Sequence, residues 1–114
     1  MNYQLLAPLL RGDHWEGLEF IPDGDVPPAA LSAVRMDFRL EPGDAAVGVT
    51  LSTGNAKIVI SDSAGWVFAI PVVALGLAVG NWFSDVQTTD EDGIVRTIAR
   101  LILPVKQDVT RSTT

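Results

Sequence analysis

The sequence predicts an all-β protein, a sandwich of about seven to eight antiparallel strands. Three observations support this class. Apolar and polar residues alternate with a period of two in several segments. Turn-forming residues separate these segments at the roughly 8–12-residue spacing typical of a sandwich. The chain has 114 residues, which is enough for one hydrophobic core and no second one.

The clearest predicted strand is the segment VRMDFRL at residues 34–40, where every second side chain is apolar. Such alternation is typical of a strand with one buried face and one face in water. The same period recurs at residues 47–52, 58–61, 66–70, 82–87 and 94–101, and residues 3–10 and 15–21 are weaker candidates. The predicted inward side chains include Phe38, Val49, Ile60, Phe68, Trp82, Val86 and Ile98.

Turn chemistry separates the predicted strands. Pro fixes φ, Gly tolerates positive φ, and Asp and Asn bond to their own backbone. Turns are predicted at residues 22–25, 41–44, 52–55, 62–65 and 90–93. The last of these, DEDG, joins two strong strands, so we expect a hairpin loop there. We expect a single β-sandwich domain over residues 1–107 and a polar C-terminal tail at 108–114.

Charge and composition exclude several classes of partner. The net charge is −6, which argues against nucleic-acid binding. Residues 63–84 carry no charge, but they include Pro71 and three glycines, so they predict turns within a core and no membrane span.

The sequence predicts no enzyme, no cofactor and no metal. His14 is the only histidine, there is no cysteine, and no serine lies in a nucleophile-elbow motif. The acid-rich turns at 22–25 and 90–93 lack the spacing of a calcium-binding loop.

Two features leave alternatives open. Asp85 lies within a predicted strand, where it either pairs with Arg96 or Arg100 on the neighbouring strand or binds a ligand. The three tryptophans, at positions 15, 66 and 82, either pack in the core or form an aromatic platform for a sugar. The second interpretation makes the chain a carbohydrate- or surface-binding module.

The last predicted strand is long and contains Pro104, which indicates an edge position. An uncovered edge of this kind takes a partner strand or a second subunit. The candidate interface residues are Arg96, Arg100, Leu101, Leu103, Val105 and Lys106. Alternatively, the segment bends at Pro104 and pairs only within its own sheet.

The order of motifs resembles small phage and prophage tail-associated proteins, and more loosely the N-terminal Ig-like domain of phage baseplate upper proteins. The resemblance begins with the RGDHW bend at residues 11–15, the PDG turn at 22–24 and the VRMDFR strand at 34–39. It continues with LSTG at 51–54, Ile70-Pro71, GNWFSDVQ at 80–87, DGIVRTI at 92–98 and the DVTR end at 108–111.

The resemblance implies an Ig-like sandwich and a structural or adaptor subunit of a phage particle, in the tail or baseplate, without catalysis. Its implied partners are other virion subunits or further copies of the chain. Its implied location is the virion, or the cytoplasm of the bacterial host before assembly.

Overall fold

The computed structural model describes residues 4–22, 24–40 and 47–107. This part of the chain contains no helix, and strands make up 56% of it. The all-β class predicted from the sequence is therefore confirmed. The predicted 41–44 turn, Asp23 in the 22–25 turn and the 108–114 tail lie outside the described residues.

Eleven strands occur in these residues. They are β1 (Gln4–Leu5), β2 (Leu9–Leu10), β3 (His14–Trp15), β4 (Leu18–Phe20), β5 (Leu31–Arg39), β6 (Val49–Ser52), β7 (Val59–Asp62), β8 (Val67–Ile70), β9 (Val73–Ala74), β10 (Gly80–Asp90) and β11 (Val95–Lys106). The count exceeds the predicted seven to eight because four of the strands have only two residues.

A six-stranded sheet, called the large sheet here, contains the three longest strands. Its order is β1-β11-β10-β5-β6, and β2 also pairs with β11. The pairings β11-β10, β10-β5 and β5-β6 are antiparallel. The short strands β1 and β2 run parallel to β11, so the sheet is mixed and the prediction of a purely antiparallel fold was too narrow. The large sheet curls into a half-barrel.

Two smaller sheets complete the fold. One is a three-stranded antiparallel sheet of order β4-β8-β7, called the small sheet here, and the other pairs β3 with β9. Gly17 immediately precedes β4 and has a φ of +80°. The backbone carbonyl of Ile70, at the end of β8, lies against its Cα. This close approach brings the chain into register for the β4-β8 pairing.

One hydrophobic core receives side chains from all three sheets. Phe38 from β5 and Phe68 from β8 are fully buried, and Trp15 from β3 meets Phe38 edge-on with ring centroids 6.0 Å apart. Phe20 stacks on Phe68 at 4.7 Å. The aromatic side chains thus connect the large sheet to both smaller ones.

Most of the predicted inward side chains lie in the core. Phe38, Phe68, Trp82 and Val86 are buried, and Val49 and Ile60 pack against them while partly exposed. The prediction for Ile98 was wrong, because this side chain is exposed. The pairing of β10 with β11 shifts between Val86 and Gln87, which leaves Ile98 as an extra residue in a β-bulge.

A buried hydroxyl lies in the middle of the large sheet. Ser84 on β10 is 2% exposed, and its Oγ has no hydrogen-bond partner among the described residues. Its strand neighbours across the sheet are Phe38 and Leu101, which are both apolar. A buried hydroxyl without a partner costs free energy, since folding takes it out of water.

We therefore expect Ser84→Ala to leave the free energy of unfolding unchanged or to raise it by up to about 1–3 kcal/mol. Urea unfolding of the two proteins measures the difference. A clear loss of stability in the variant would contradict the assignment of this hydroxyl as unsatisfied.

Candidate interaction surfaces of the large sheet

The structure separates the six predicted interface residues into two groups. Leu101, Leu103 and Val105 are each at most 2% exposed and form part of the core. Their apolar row therefore faces inward and is not presented to a partner. Arg96, Arg100 and Lys106 reach solvent to different degrees, and Lys106 is the most exposed of the three.

The bulge at Ile98 also separates the two arginines that the sequence pattern places on one face. Arg96 pairs across the sheet with the buried Thr88, whereas Arg100 pairs with Asp85 on the outer face. The Asp85 carboxylate lies 3.6 Å from the Arg100 guanidinium. The prediction that Asp85 pairs with a base on the neighbouring strand is thus confirmed, and the base is Arg100.

Arg96 instead closes the core at the end of the β10-β11 hairpin. Its Nη1 donates to the Asp90 carboxylate at 2.6 Å, and its guanidinium lies 5.8 Å from the Trp66 ring centroid. The other Asp90 oxygen accepts the backbone N–H groups of Asp92 and Ile94 at 2.9 and 3.0 Å. These contacts satisfy a nearly fully buried carboxylate and fix the shape of the hairpin loop.

The contact with Arg96 lowers the pKa of Asp90, and the two backbone N–H groups act in the same direction. Burial opposes them without reversing the shift. A carboxylate whose pKa is lower in the folded state stabilises the fold above its unfolded pKa, close to the ordinary value of 3.8. This contribution is lost as the pH falls through the lower folded pKa.

We expect Asp90→Asn to destabilise the protein at pH 7, because the amide places an N–H donor against the donors of Arg96. The stability difference between wild type and variant should shrink as the pH falls below 3.8, because the unfolded wild type then takes up a proton at Asp90. The contribution of the carboxylate charge is lost once the pH falls through the lower pKa of the folded state. Asp85→Asn is the matched control, since Asp85 is more exposed and its contact with Arg100 is longer. Urea unfolding across the acid range tests this, and equal effects of the two variants would contradict it.

The outer face of the large sheet carries a row of polar side chains across four strands. Thr50, Asp37, Asp85 and Arg100 are neighbours in register on β6, β5, β10 and β11. Adjacent carboxylates repel each other, so the pair needs cations nearby. Besides Arg100 at Asp85, two arginines of β5 lie beside Asp37, with Arg35 at 3.2 Å and Arg39 at 3.3 Å. Each of the two carboxylates on this face is therefore paired with at least one arginine.

The edge of the large sheet at β6 is protected by the loop that follows it. The Asn55 amide donates to the carbonyl of Thr50 at 2.9 Å. The Asn55 side-chain oxygen accepts the backbone N–H groups of Ser52 and Lys57 at 3.0 and 3.1 Å. These bonds occupy polar groups at the end of β6, which limits the addition of a further strand there.

The opposite edge, at β11, is covered over only part of its length. The short strands β1 and β2 pair with β11 at Leu101 and Ile102 and at Val105 and Lys106. Along residues 95–99, the edge of β11 that points away from β10 pairs with no strand among the described residues. We call this segment the free edge. The exposed apolar side chains of Ile94, Val95 and Ile98 lie in or next to it.

The three tryptophans do not form an exposed platform. Trp15, Trp66 and Trp82 are each less than a tenth exposed, and all belong to the core. The indole N–H groups of Trp66 and Trp82 donate to the backbone carbonyls of Ala29 and Ala78 at 3.0 and 2.9 Å. Of the two interpretations that the sequence left open, core packing is the one observed.

Sequence reasoning missed two residues that shape these surfaces. Asp90 was interpreted only as part of a turn, and Asn55 only as a turn former. The spacing could have indicated the role of Asp90. This residue opens a tight hairpin loop, and Ile94 and Arg96 follow it at four and six residues, on the other side of the loop. The role of Asn55 depends on the carbonyl of Thr50, whose position is set by the sheet.

The chain matches no family model, and no curated protein or solved structure is detectably similar to it. The described residues include no helix that is long and apolar enough to span a membrane.

Proposed function

We propose that this protein is a non-catalytic structural or adaptor subunit of a phage or prophage particle, located in the tail or baseplate. Its partners are other virion subunits or further copies of the chain. The observation that carries the proposal is the free edge beside a sheet whose other edge is protected. Such an edge is the surface that small β subunits use to add a neighbour's strand.

We further propose that the fold is an Ig-like β-sandwich. The order β11-β10-β5-β6 in the large sheet corresponds to G-F-C-C′ of a variable-type Ig domain, and β4-β8-β7 in the small sheet corresponds to B-E-D. The core shared by both sheets supports this layered arrangement. It also agrees with the Ig-like domain that the motif resemblance implies.

The charge distribution supports a role in assembly over a role in catalysis. Arg96, which is the one charged side chain of the free edge, is neutralised by Asp90. On the outer face of the large sheet, Asp37 and Asp85 are each paired with arginine. Neither surface brings a nucleophile and a base together, whereas both present ordered backbone or side chains to a protein partner.

Mass spectrometry of purified particles tests the proposed role. Particles are isolated on a density gradient after prophage induction of the host that carries this gene. We expect peptides of this chain in the fraction of intact, tailed particles. Its presence only in the soluble fraction of the lysate would overturn the proposal.

A further inference from the structure

We propose that the free edge of β11, residues 95–99, pairs with the same edge of a second copy of this chain. The pairing joins the two large sheets into one continuous sheet. The inference rests on the proposed function in one respect, since an assembly role is the reason to expect that this edge is occupied. It names the occupant, which the proposed function leaves open between a second copy and another subunit.

The two edges of the large sheet differ in how they are covered. At β6, Asn55 occupies a carbonyl of the edge strand. At β11, pairing with β1 begins only at Leu101, although the strand itself starts at Val95. Natural proteins protect exposed edges with β-bulges, charges or covering segments. The described part of the free edge carries the bulge at Ile98 and one charge, Arg96, but no covering segment.

The free edge also differs from the rest of the surface in charge. The chain has a net charge of −6, so contacts between two copies are opposed over most of the surface. The free edge is an exception, because its single charged side chain, Arg96, is directed inward onto the Asp90 carboxylate. When two free edges meet, the two Arg96 side chains that approach each other are therefore each already neutralised by Asp90.

Apolar side chains are exposed at and beside the free edge. Val95 is 60% exposed, Ile94 is 49% exposed and Ile98 is 38% exposed. Exposed large apolar side chains also occur elsewhere in the described residues, but these three are β-branched and lie within one stretch of five residues. The bulge causes the exposure of Ile98, since it rotates this residue out of the core face. Pairing of two copies covers part of this apolar surface in each copy.

Symmetry fixes the orientation of the pair. A two-fold axis perpendicular to the sheet makes identical edge strands antiparallel and makes the interface self-complementary. Each Val95 then approaches the Ala99 end of the other copy, with Thr97 near the axis. The sequence IVRTIA at residues 94–99 is rich in β-branched residues, which favour strand pairing.

The test is the molar mass of the purified full chain, measured by size-exclusion chromatography with light scattering from about 1 to 100 µM. We expect a concentration-dependent twofold rise in mass for the wild type. The double variant Val95→Lys, Ile98→Lys places two charges at the free edge and should remain monomeric. Both side chains are exposed in the single chain, so the fold should persist, and circular dichroism with a thermal scan checks this.

Val72→Lys is the matched control, because Val72 is 64% exposed and lies outside the strands of the large sheet. It should dimerise like the wild type. A wild type that stays monomeric over the whole range, or a double variant that still doubles its mass, would overturn the second-copy assignment. If the wild type is monomeric in solution but is found in intact particles, the proposed function stands and another subunit occupies this edge. Failure of the second-copy pairing can therefore be distinguished from failure of the proposed function.

Discussion

Gly17→Ala is expected to abolish folding or to lower the free energy of unfolding by more than about 4 kcal/mol. Two independent effects act on this position. Its φ of +80° is a left-handed conformation that strains any residue with a Cβ. In addition, a Cβ at Gly17 would overlap the carbonyl oxygen of Ile70 and lie within 3.0 Å of the carbonyl oxygen of Pro71. Both are backbone atoms, so no rotamer change relieves the overlap.

Two other glycines separate these effects. Gly76 also has a positive φ, of +66°, but a Cβ there meets nothing within 4 Å. Gly76→Ala should therefore cost only the conformational strain, about 1–2 kcal/mol. At Gly54 the nearest atom to a Cβ is the Ser52 hydroxyl at 3.7 Å, so Gly54→Ala should have little effect. Equal destabilisation by all three variants, measured by urea unfolding, would contradict the role of the Ile70 carbonyl.

Phe38→Ala is the second change with a large expected effect, a loss of about 3–5 kcal/mol. Phe38 is completely buried on β5, between neighbours on β6 and β10, and its ring meets Trp15 edge-on. Removal of the ring leaves a cavity at the contact between the large sheet and the β3-β9 pair, and packed strands on both sides limit its collapse.

Ile98→Ala is the control for this prediction, since the sequence pattern places both residues in the core. Ile98 is exposed at the bulge, and its truncation should change the free energy of unfolding by less than about 0.5 kcal/mol. Thermal unfolding of both variants gives the comparison. If Ile98→Ala lowered the free energy of unfolding as much as Phe38→Ala, the bulge would not turn Ile98 outward.

Period-two alternation predicted the longest elements well, because it reports which face of a strand is buried. All but the last residue of the predicted segment 34–40 lie in β5, and the inward positions Phe38, Trp82 and Val86 are buried as expected. The same reasoning failed at Ile98. One extra residue in a strand moves every later side chain of that strand to the opposite face of the sheet. Alternation within β11 alone carries no mark of this insertion, because the bulge is defined by its partner β10.

The short strands β1 and β2 were predicted only as parts of one weak strand candidate at residues 3–10, and the reason is different. β1 and β2 bond to β11 across nearly the whole sequence, and their few residues carry no periodicity of their own. Their positions follow from the location of β11, which is set by its pairing with β10.

The candidate surfaces were predictable only in part. The pairing of Asp85 with a base was predicted from its charge alone, because an Asp within a strand needs a partner of opposite charge. The inward direction of Arg96 was not predictable, since it depends on the bulge and on the buried carboxylate of Asp90. The burial of Leu101, Leu103 and Val105 follows from the same shift in phase.

The parallel pairing of β1 with β11 has a consequence for the order in which this protein folds. Gln4 and Leu101 are partners, so this contact closes a loop that contains most of the chain. Contacts of such long sequence separation form slowly, and folds dominated by them reach the native state in roughly milliseconds to seconds. The hairpins β5-β6, β7-β8 and β10-β11 join neighbours in sequence, so they need no such closure. On the ribosome, β1 therefore has to wait until β11 has been synthesised and released from the exit tunnel before it finds its place in the sheet.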